Sequence, residues 1–223
     1  MRKINISEEI KTVLPDLILG IMEIEVTTSP SSEEVTEIIN NRVKELETIL
    51  TPESIREMES VKANKDAYRK LGKDPNRYRP ASEALLRRVA NGKGLYFINN
   101  VVDILNLTSI NTGYSICGYD IDKIDGEITL GIGEKDEPYE GIGRGSLNIE
   151  RLPVFRDTAG AFGTPTSDSV RTMVTEETTH FLMIIIGFGN KPAIEKALNN
   201  TATLYQKYAD GKVGSITFIE NKH

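Results

Sequence analysis

Residues 180–188 read HFLMIIIGF, an uninterrupted apolar run opened by one histidine. It falls well short of the roughly 18 residues of a membrane span, and it suits a strand covered on both faces at the centre of a sheet. Immediately downstream, Asn190 and Pro192 open a helix with Ile194, Ala197, Leu198, Leu204 and Tyr205 at helical spacing. GSITFIEN, residues 214–221, then closes the chain as an edge strand. Upstream, beyond Gly113, the composition turns to Gly, Tyr, Thr and Ile in TGYSICGYDIDKI, GEITLGIGE, EPYEGIGRGS and LPVFRD. These read as short strands with tight turns, including a hairpin expected at Asp125-Gly126.

The first half is mostly helical in pattern. Residues 17–26, LILGIMEIEV, form a strand whose later part alternates Glu23 and Glu25 with Met22, Ile24 and Val26. Ser31 and Glu34 have capping-box spacing ahead of a helix bearing Val35, Ile38, Ile39, Val43, Leu46, Ile49 and Leu50. Thr51-Pro52 predicts one helix running towards Leu71 and ended by Gly72. GKDPNRYRP is then an exposed connection, after which Ser82 caps a short helix with Leu85, Leu86 and Val89 inward and Gly92 just past its end. From Asn99, NNVVDILNLTSI is a helix burying Val101, Val102, Leu105 and Leu107, with Asp103 and Asn106 neighbours on one face. Helices followed by strands predict an α+β fold, layered, with a mixed and mainly antiparallel sheet. One domain over 1–223 is expected, its core at about 68–188, with 1–67 and 189–223 packed on it.

At 223 residues, 39% hydrophobic and 27% charged, the chain can bury a core without metals or disulfides. Cys117 has no disulfide partner, and with only His180 and His223 it makes no zinc site of the usual kind, so neither metal nor cofactor is expected. The opening MRKINISEEIK is charged where a secretory signal is apolar, which makes the cytoplasm the expected address and a membrane role unexpected. The net charge of −6 argues against a general nucleic-acid-coating surface and against DNA as a partner. Yet residues 56–93 carry 11 Lys or Arg against 5 Asp or Glu, a net of +6 that leaves −12 elsewhere.

Chemistry concentrates in residues 157–172, DTAGAFGTPTSDSVRT, where Asp168 is a candidate acceptor or base and Arg171 a fork for a carboxylate or phosphate. The alternative is a turn whose Ser, Thr and Asp side chains satisfy their own backbone. The glycine pairs at 131/133, 141/143 and 187/189 lack a phosphate-loop ending and read better as turns. Cys117 and His180 form a thiol–imidazole pair only if the fold brings them within hydrogen-bond reach. The basic segment contains Tyr68 and Tyr78, a mixture suited to phosphates and unpaired bases, or else it is a solvated face.

Three blocks in order, YRKLGKDPNRYRPASEALLRRV, INNVVDILNLTSINTGYSICGYDIDKI and DTAGAFGTPTSDSVRT, resemble the B3/B4 domain of the phenylalanyl-tRNA synthetase beta subunit in a free-standing form. The resemblance implies a tRNA-linked module whose pocket hydrolyses the ester of a wrongly attached amino acid. The pocket asparagine of that family matches Asn106. Its histidine position falls on Cys117, and its glutamate has no counterpart here, Asp168 being the nearest carboxylate. On this reading Asn106, Asp168 and Ser169 are the catalytic candidates, and Cys117, Gly163, Thr166 and Arg171 hold the aminoacyl group. Arg69, Arg77, Arg79, Arg87 and Arg88 meet the phosphates of a tRNA or aminoacyl-tRNA. Aminoacylation is not expected, since no ATP-binding core is present. A non-catalytic tRNA- or amino-acid-binding module is the other reading.

Overall fold

The computed structural model describes residues 2–221. In chain order its elements are β1 (Ile4–Ile6), α1 (Glu8–Val13), β2 (Leu17–Glu25), α2 (Glu33–Ile49), α3 (Pro52–Glu57), α4 (Glu59–Lys70), α5 (Ala81–Ala90) and α6 (Asn100–Thr112). Then follow β3 (Ser115–Asp120), β4 (Ile128–Ile132), β5 (Glu140–Gly141), β6 (Gly145–Ser146), β7 (Pro153–Asp157), β8 (Gly160–Gly163), β9 (His180–Phe188), α7 (Lys191–Tyr208) and β10 (Lys212–Glu220). This is an α+β fold. One sheet runs β10-β2-β9-β3, wholly antiparallel; the other runs β1-β4-β7-β8, with only β1 and β4 parallel.

The 180–188 run is an interior strand, flanked by β2 and β3. Because side chains alternate along a strand, its residues divide between two cores. Leu182, Ile184 and Ile186 join Leu17, Leu19, Ile21, Cys117 and Tyr119 against Ile128, Leu130, Phe155 and Phe162 of the second sheet. Phe181, Met183 and Ile185 join Ile18, Met22, Ile24 and Ile116 under α6 and α7. On that helical face Gly20, Gly118 and Gly187 let the helices close in. An added Cβ would stand 2.4 Å from Ile194, 2.6 Å from Leu105 and 2.5 Å from Ile194, respectively. The helices α2, α3, α5 and α6 share a further core around Val35, Ile55, Leu86 and Leu107.

Several local expectations are corrected. The cap of α2 is Ser32, accepting from the Val35 amide, while Ser31 donates to Asp103 at 2.6 Å. The helix expected from Pro52 breaks at Met58, whose extended ψ of 125° reorients the chain so that α4 can bury Val61, Ala67 and Tyr68. Ser82 lies inside α5, bonded to Ser115 on the edge of β3, and Pro80 holds the cap position. On α6, Val102 is only half-buried and Ile104 is buried in its place. The Asp125-Gly126 turn closes no hairpin, because β3 and β4 belong to different sheets. Of the glycine pairs only Gly141 and Gly143 occupy a hairpin turn; Gly131 lies within β4 and Gly187 at the end of β9. The short β1 and α1 carry too little periodicity to be read in advance. Among the described residues no helix is long and apolar enough to cross a membrane.

Candidate functional site

The polar loop 164–172 follows β8 and closes over β3, the edge strand of its sheet. Its shape is set by its own hydroxyls. Thr164 Oγ1 accepts from the Thr166 and Ser167 amides, both at 3.1 Å, and Ser169 Oγ accepts from the Arg171 amide at 3.2 Å, capping a 3-10 turn (Val170–Thr172). Thr166 is further tied to the buried Tyr68 hydroxyl at 2.8 Å, and Tyr139 donates to the Ser167 carbonyl at 2.6 Å. Short polar side chains bonding local backbone are the reason this stretch makes a rigid loop instead of a strand.

The loop delivers Asp168 to β3. The Gly118 amide donates to Asp168 Oδ2 at 3.0 Å, while Oδ1 is buried with no hydrogen-bond partner. The Tyr119 hydroxyl, on the same strand, is also buried and unpartnered, and its ring packs edge-on to Phe162 with centroids 4.8 Å apart. Gly163 provides the necessary space: an added Cβ there would stand 1.8 Å from the Tyr119 hydroxyl. The Cys117 thiol points to the Thr164 carbonyl at 3.7 Å.

Burial sets the charge state of this nest. It pushes the Asp168 carboxyl up to about 7, against the opposing hydrogen bond from Gly118. Burial, then the neighbouring Asp168 charge, drives the Cys117 thiol and the Tyr119 phenol well above their ordinary values. Tyr68 and Tyr139 are likewise raised, chiefly by burial. Asp168 is therefore the group in the nest that changes protonation near neutral pH.

The thiol–imidazole pair does not form. Cys117 is opposite Ile184, four residues along β9 from His180, or about 13 Å at strand spacing. His180 is exposed and bonded to Asp122 at 2.9 Å. His223 lies outside the described residues, among which no three His, Cys, Asp or Glu side chains cluster to hold a metal.

Arg171 and Ser169 border a cleft of about 570 Å³ that also includes Tyr139, Glu140 and Gly160. There the Arg171 guanidinium grips Asp157 with two bonds of 2.8 and 3.0 Å and reaches the Gly160 carbonyl at 3.1 Å. Asn106 is half-buried on α6, beside the Leu105 that closes on Gly118, and makes no side-chain hydrogen bond among the described residues. Its neighbour Asp103 is a structural group, accepting from Ser31 and from the Ile98 amide. A larger cleft of about 670 Å³ opens elsewhere, beside Met58, Ser60, Tyr114, Phe188 and Ala197, and includes none of these site residues.

The family model for the B3/4 domain matches residues 63–208. The chain belongs to the B3/4 domain family. The match extends beyond the 68–188 core to take in α7. The chain is also similar to an N-terminal fragment of the phenylalanyl-tRNA synthetase beta-subunit from Pyrococcus horikoshii, at 15% identity and a TM-score of 0.46. That likeness covers 95% of this chain and 50% of the fragment, so the chain spans about half the fragment's length. No curated protein matches.

The basic segment of this B3/4 domain is partly spent internally. Glu83, buried in α5, draws Lys65 at 3.2 Å, Arg87 at 2.8 Å and, more loosely, Arg79 at 3.9 Å. Arg69 pairs with Asp66 at 2.6 Å, and Arg77 is exposed beside the Tyr78 ring. Tyr68 is fully buried, which removes it as a base-stacking residue, and Tyr78 is covered by Lys73 at 3.7 Å. Arg88 lies 3.7 Å over the ring of Tyr96, an exposed residue that sequence reading passed over because it falls in a loop without periodicity.

Proposed function

We propose that this B3/4 domain binds aminoacylated tRNA and hydrolyses a wrongly attached amino acid in trans. Asp168 carries the reading: an enclosed carboxyl with one oxygen held by an amide and the other free, titrating near neutrality among groups that stay neutral. A general base works best with a pKa near the operating pH. In this scheme Asp168 Oδ1 takes a proton from water as the water oxygen bonds to the ester carbonyl carbon. Cleavage of the ester C–O bond frees the ribose hydroxyl, which receives that proton, giving free amino acid and uncharged tRNA. The Tyr119 hydroxyl donates to the developing oxyanion.

No covalent nucleophile is required, since the ester is already activated, and Cys117, buried like Gly163 and Thr166, is a packing group beside Asp168. Asn106, uncommitted to any internal bond, positions substrate or water, and Ser169 and Arg171 keep the loop in place. Arg69, Arg77, Arg79, Arg87 and Arg88 supply the electropositive approach for the tRNA, which this protein meets in the cytoplasm. A second reading, a non-catalytic tRNA- or amino-acid-binding module, draws on the engagement of Ser169 and Arg171 in internal bonds and on the absence of an imidazole beside Cys117.

Deacylation of a panel of correctly and incorrectly charged tRNAs at low salt tests the two. Editing predicts selective hydrolysis of a mischarged species, slowed about 100-fold or more by Asp168→Asn. Retention of tRNA on a filter without hydrolysis by the wild-type chain assigns it to the binding module.

A further inference from the structure

The connection between α5 and α6, residues 91–99, displays three consecutive large apolar side chains. Tyr96 is 64% exposed, Phe97 43% and Ile98 59%, in a chain that otherwise exposes few such groups. A solvated loop without function gains nothing from such a run. The segment is nevertheless well held. Gly92 and Gly94 take left-handed turns, the Ile98 amide donates to Asp103 at 2.9 Å, and Asn99 caps α6 by accepting from the Val102 amide. Arg88 fixes the first ring, its guanidinium 3.7 Å from the Tyr96 centroid and its Nη1 donating to the Tyr96 hydroxyl at 3.0 Å.

Along the chain, the charge beside the rings is positive. Between Glu83 and Asp103 the chain holds Arg87, Arg88 and Lys93 and no acidic residue. Arg88 and Lys93 make no ion pair among the described residues, and Arg88 Nε is buried without a partner. The carboxylate facing this turn from another element is Glu47 of α2, beside Gly92. Exposed aromatic faces flanked by unpaired cations match the chemistry of unpaired nucleotides, whose bases stack while their phosphates seek positive charge. The Arg88 guanidinium, 3.7 Å from the Tyr96 centroid, places a cation on the platform itself.

We propose that Tyr96 and Phe97, with Arg88 and Lys93, form a stacking platform for the unpaired 3′ end of an RNA whose terminal ribose is directed to Asp168. This rests on the reading of the chain as a binder of aminoacylated tRNA and names the surface that seats its single-stranded end. The platform and Asp168 are joined through the first turns of α6. Asp103 bonds Ile98, Leu105 lies about 3 Å further along the helix and closes on Gly118, and Gly118 bonds Asp168.

The test is fluorescence anisotropy with two labelled RNA hairpins, one bearing a four-nucleotide unpaired 3′ tail and one blunt. The wild-type chain is expected to prefer the tailed hairpin, and Tyr96→Ala with Phe97→Ala to weaken that binding by about tenfold or more and to abolish the preference. Tyr96→Phe retains it, and Arg88→Gln weakens tail binding. Equal urea midpoints verify that these surface variants fold. Wild-type preference for the tail that survives the double alanine variant overturns the platform while leaving RNA binding intact. A wild-type chain that binds neither hairpin nor intact tRNA overturns the underlying reading. Loss of binding to phosphatidylserine vesicles by the double variant, with RNA binding unchanged, assigns the patch to a membrane surface and overturns the proposal.

Discussion

The hydroxyl of Tyr119 occupies the space that a side chain on residue 163 would need, so that an added Cβ would lie 1.8 Å from the oxygen and 2.5 Å from the ring carbon bearing it. The two residues belong to different sheets, and their contact helps hold the end of β8 against the edge of β3.

Gly163→Ala is therefore expected to destabilise the fold by about 1–3 kcal/mol or more, the usual cost of overpacking a buried site. Tyr119→Phe removes the nearest atom but leaves the ring in place, so it relieves only part of the cost. A urea double-mutant cycle measures this as a coupling between the two positions; simple additivity would contradict the contact.

Asp168 gives stability a pH dependence of defined sign. Its native value of about 7 lies above the ordinary carboxylate range, so between about pH 4 and 7 the folded protein holds a proton that the unfolded chain has lost. Stability from this group is full below about pH 4 and falls as pH rises to about 7, by up to about 1.4 kcal/mol per pH unit. Asp168→Asn removes that slope. The difference in unfolding free energy between wild type and variant should change across this window; a flat difference would show that Asp168 ionises normally.

Glu83 is the counter-charge for a buried cation. Its side chain is 1% exposed and that of Lys65 6%. Glu83→Ala leaves Lys65 and Arg87 facing each other without it, and is expected to cost about 3–5 kcal/mol. Replacing both Glu83 and Lys65 by methionine should recover much of that loss, read from equilibrium urea unfolding.

The Arg171–Asp157 pair secures the outer side of the loop. Burial alone would push Asp157 up, yet hydrogen bonds from Arg171 and from the Asp125 and Ala159 amides hold it below the ordinary range. The stabilisation is thus present above about pH 4 and lost as pH falls further. Asp157→Asn should cost about 1.5–3 kcal/mol at pH 7 and markedly less near pH 3, by thermal melts at the two pH values.

Much of the fold was legible in residue order. The run at 180–188 announced an interior strand, the spacing of Val35, Ile39, Val43 and Leu46 announced α2, and NNVVDILNLTSI announced α6, with Asn99 as its cap. The break at Met58 was not, because it serves the packing of α4 and leaves no mark in local periodicity. The polar loop drew attention through composition, but Tyr119 did not, since a tyrosine in an alternating strand looks like any core residue. The arginines were visible as charge; the capture of Arg79 and Arg87 by Glu83 was not.

The sequence by itself determined the class of fold, most of the helices and strands in their order, the family and the polar loop at 164–172. These are short-range properties, written in periodicity, capping residues and composition. Tertiary structure alone decided that Gly118, Tyr119, Gly163 and Asp168 meet, that Asn106 stands apart from hydrogen bonds, and that Arg171 is bound to Asp157. Pairings between residues dozens of positions apart depend on which sheet a strand joins and on which face each side chain falls, and a shift of one residue in the register of β3 would have turned Gly118 and Tyr119 to the opposite faces.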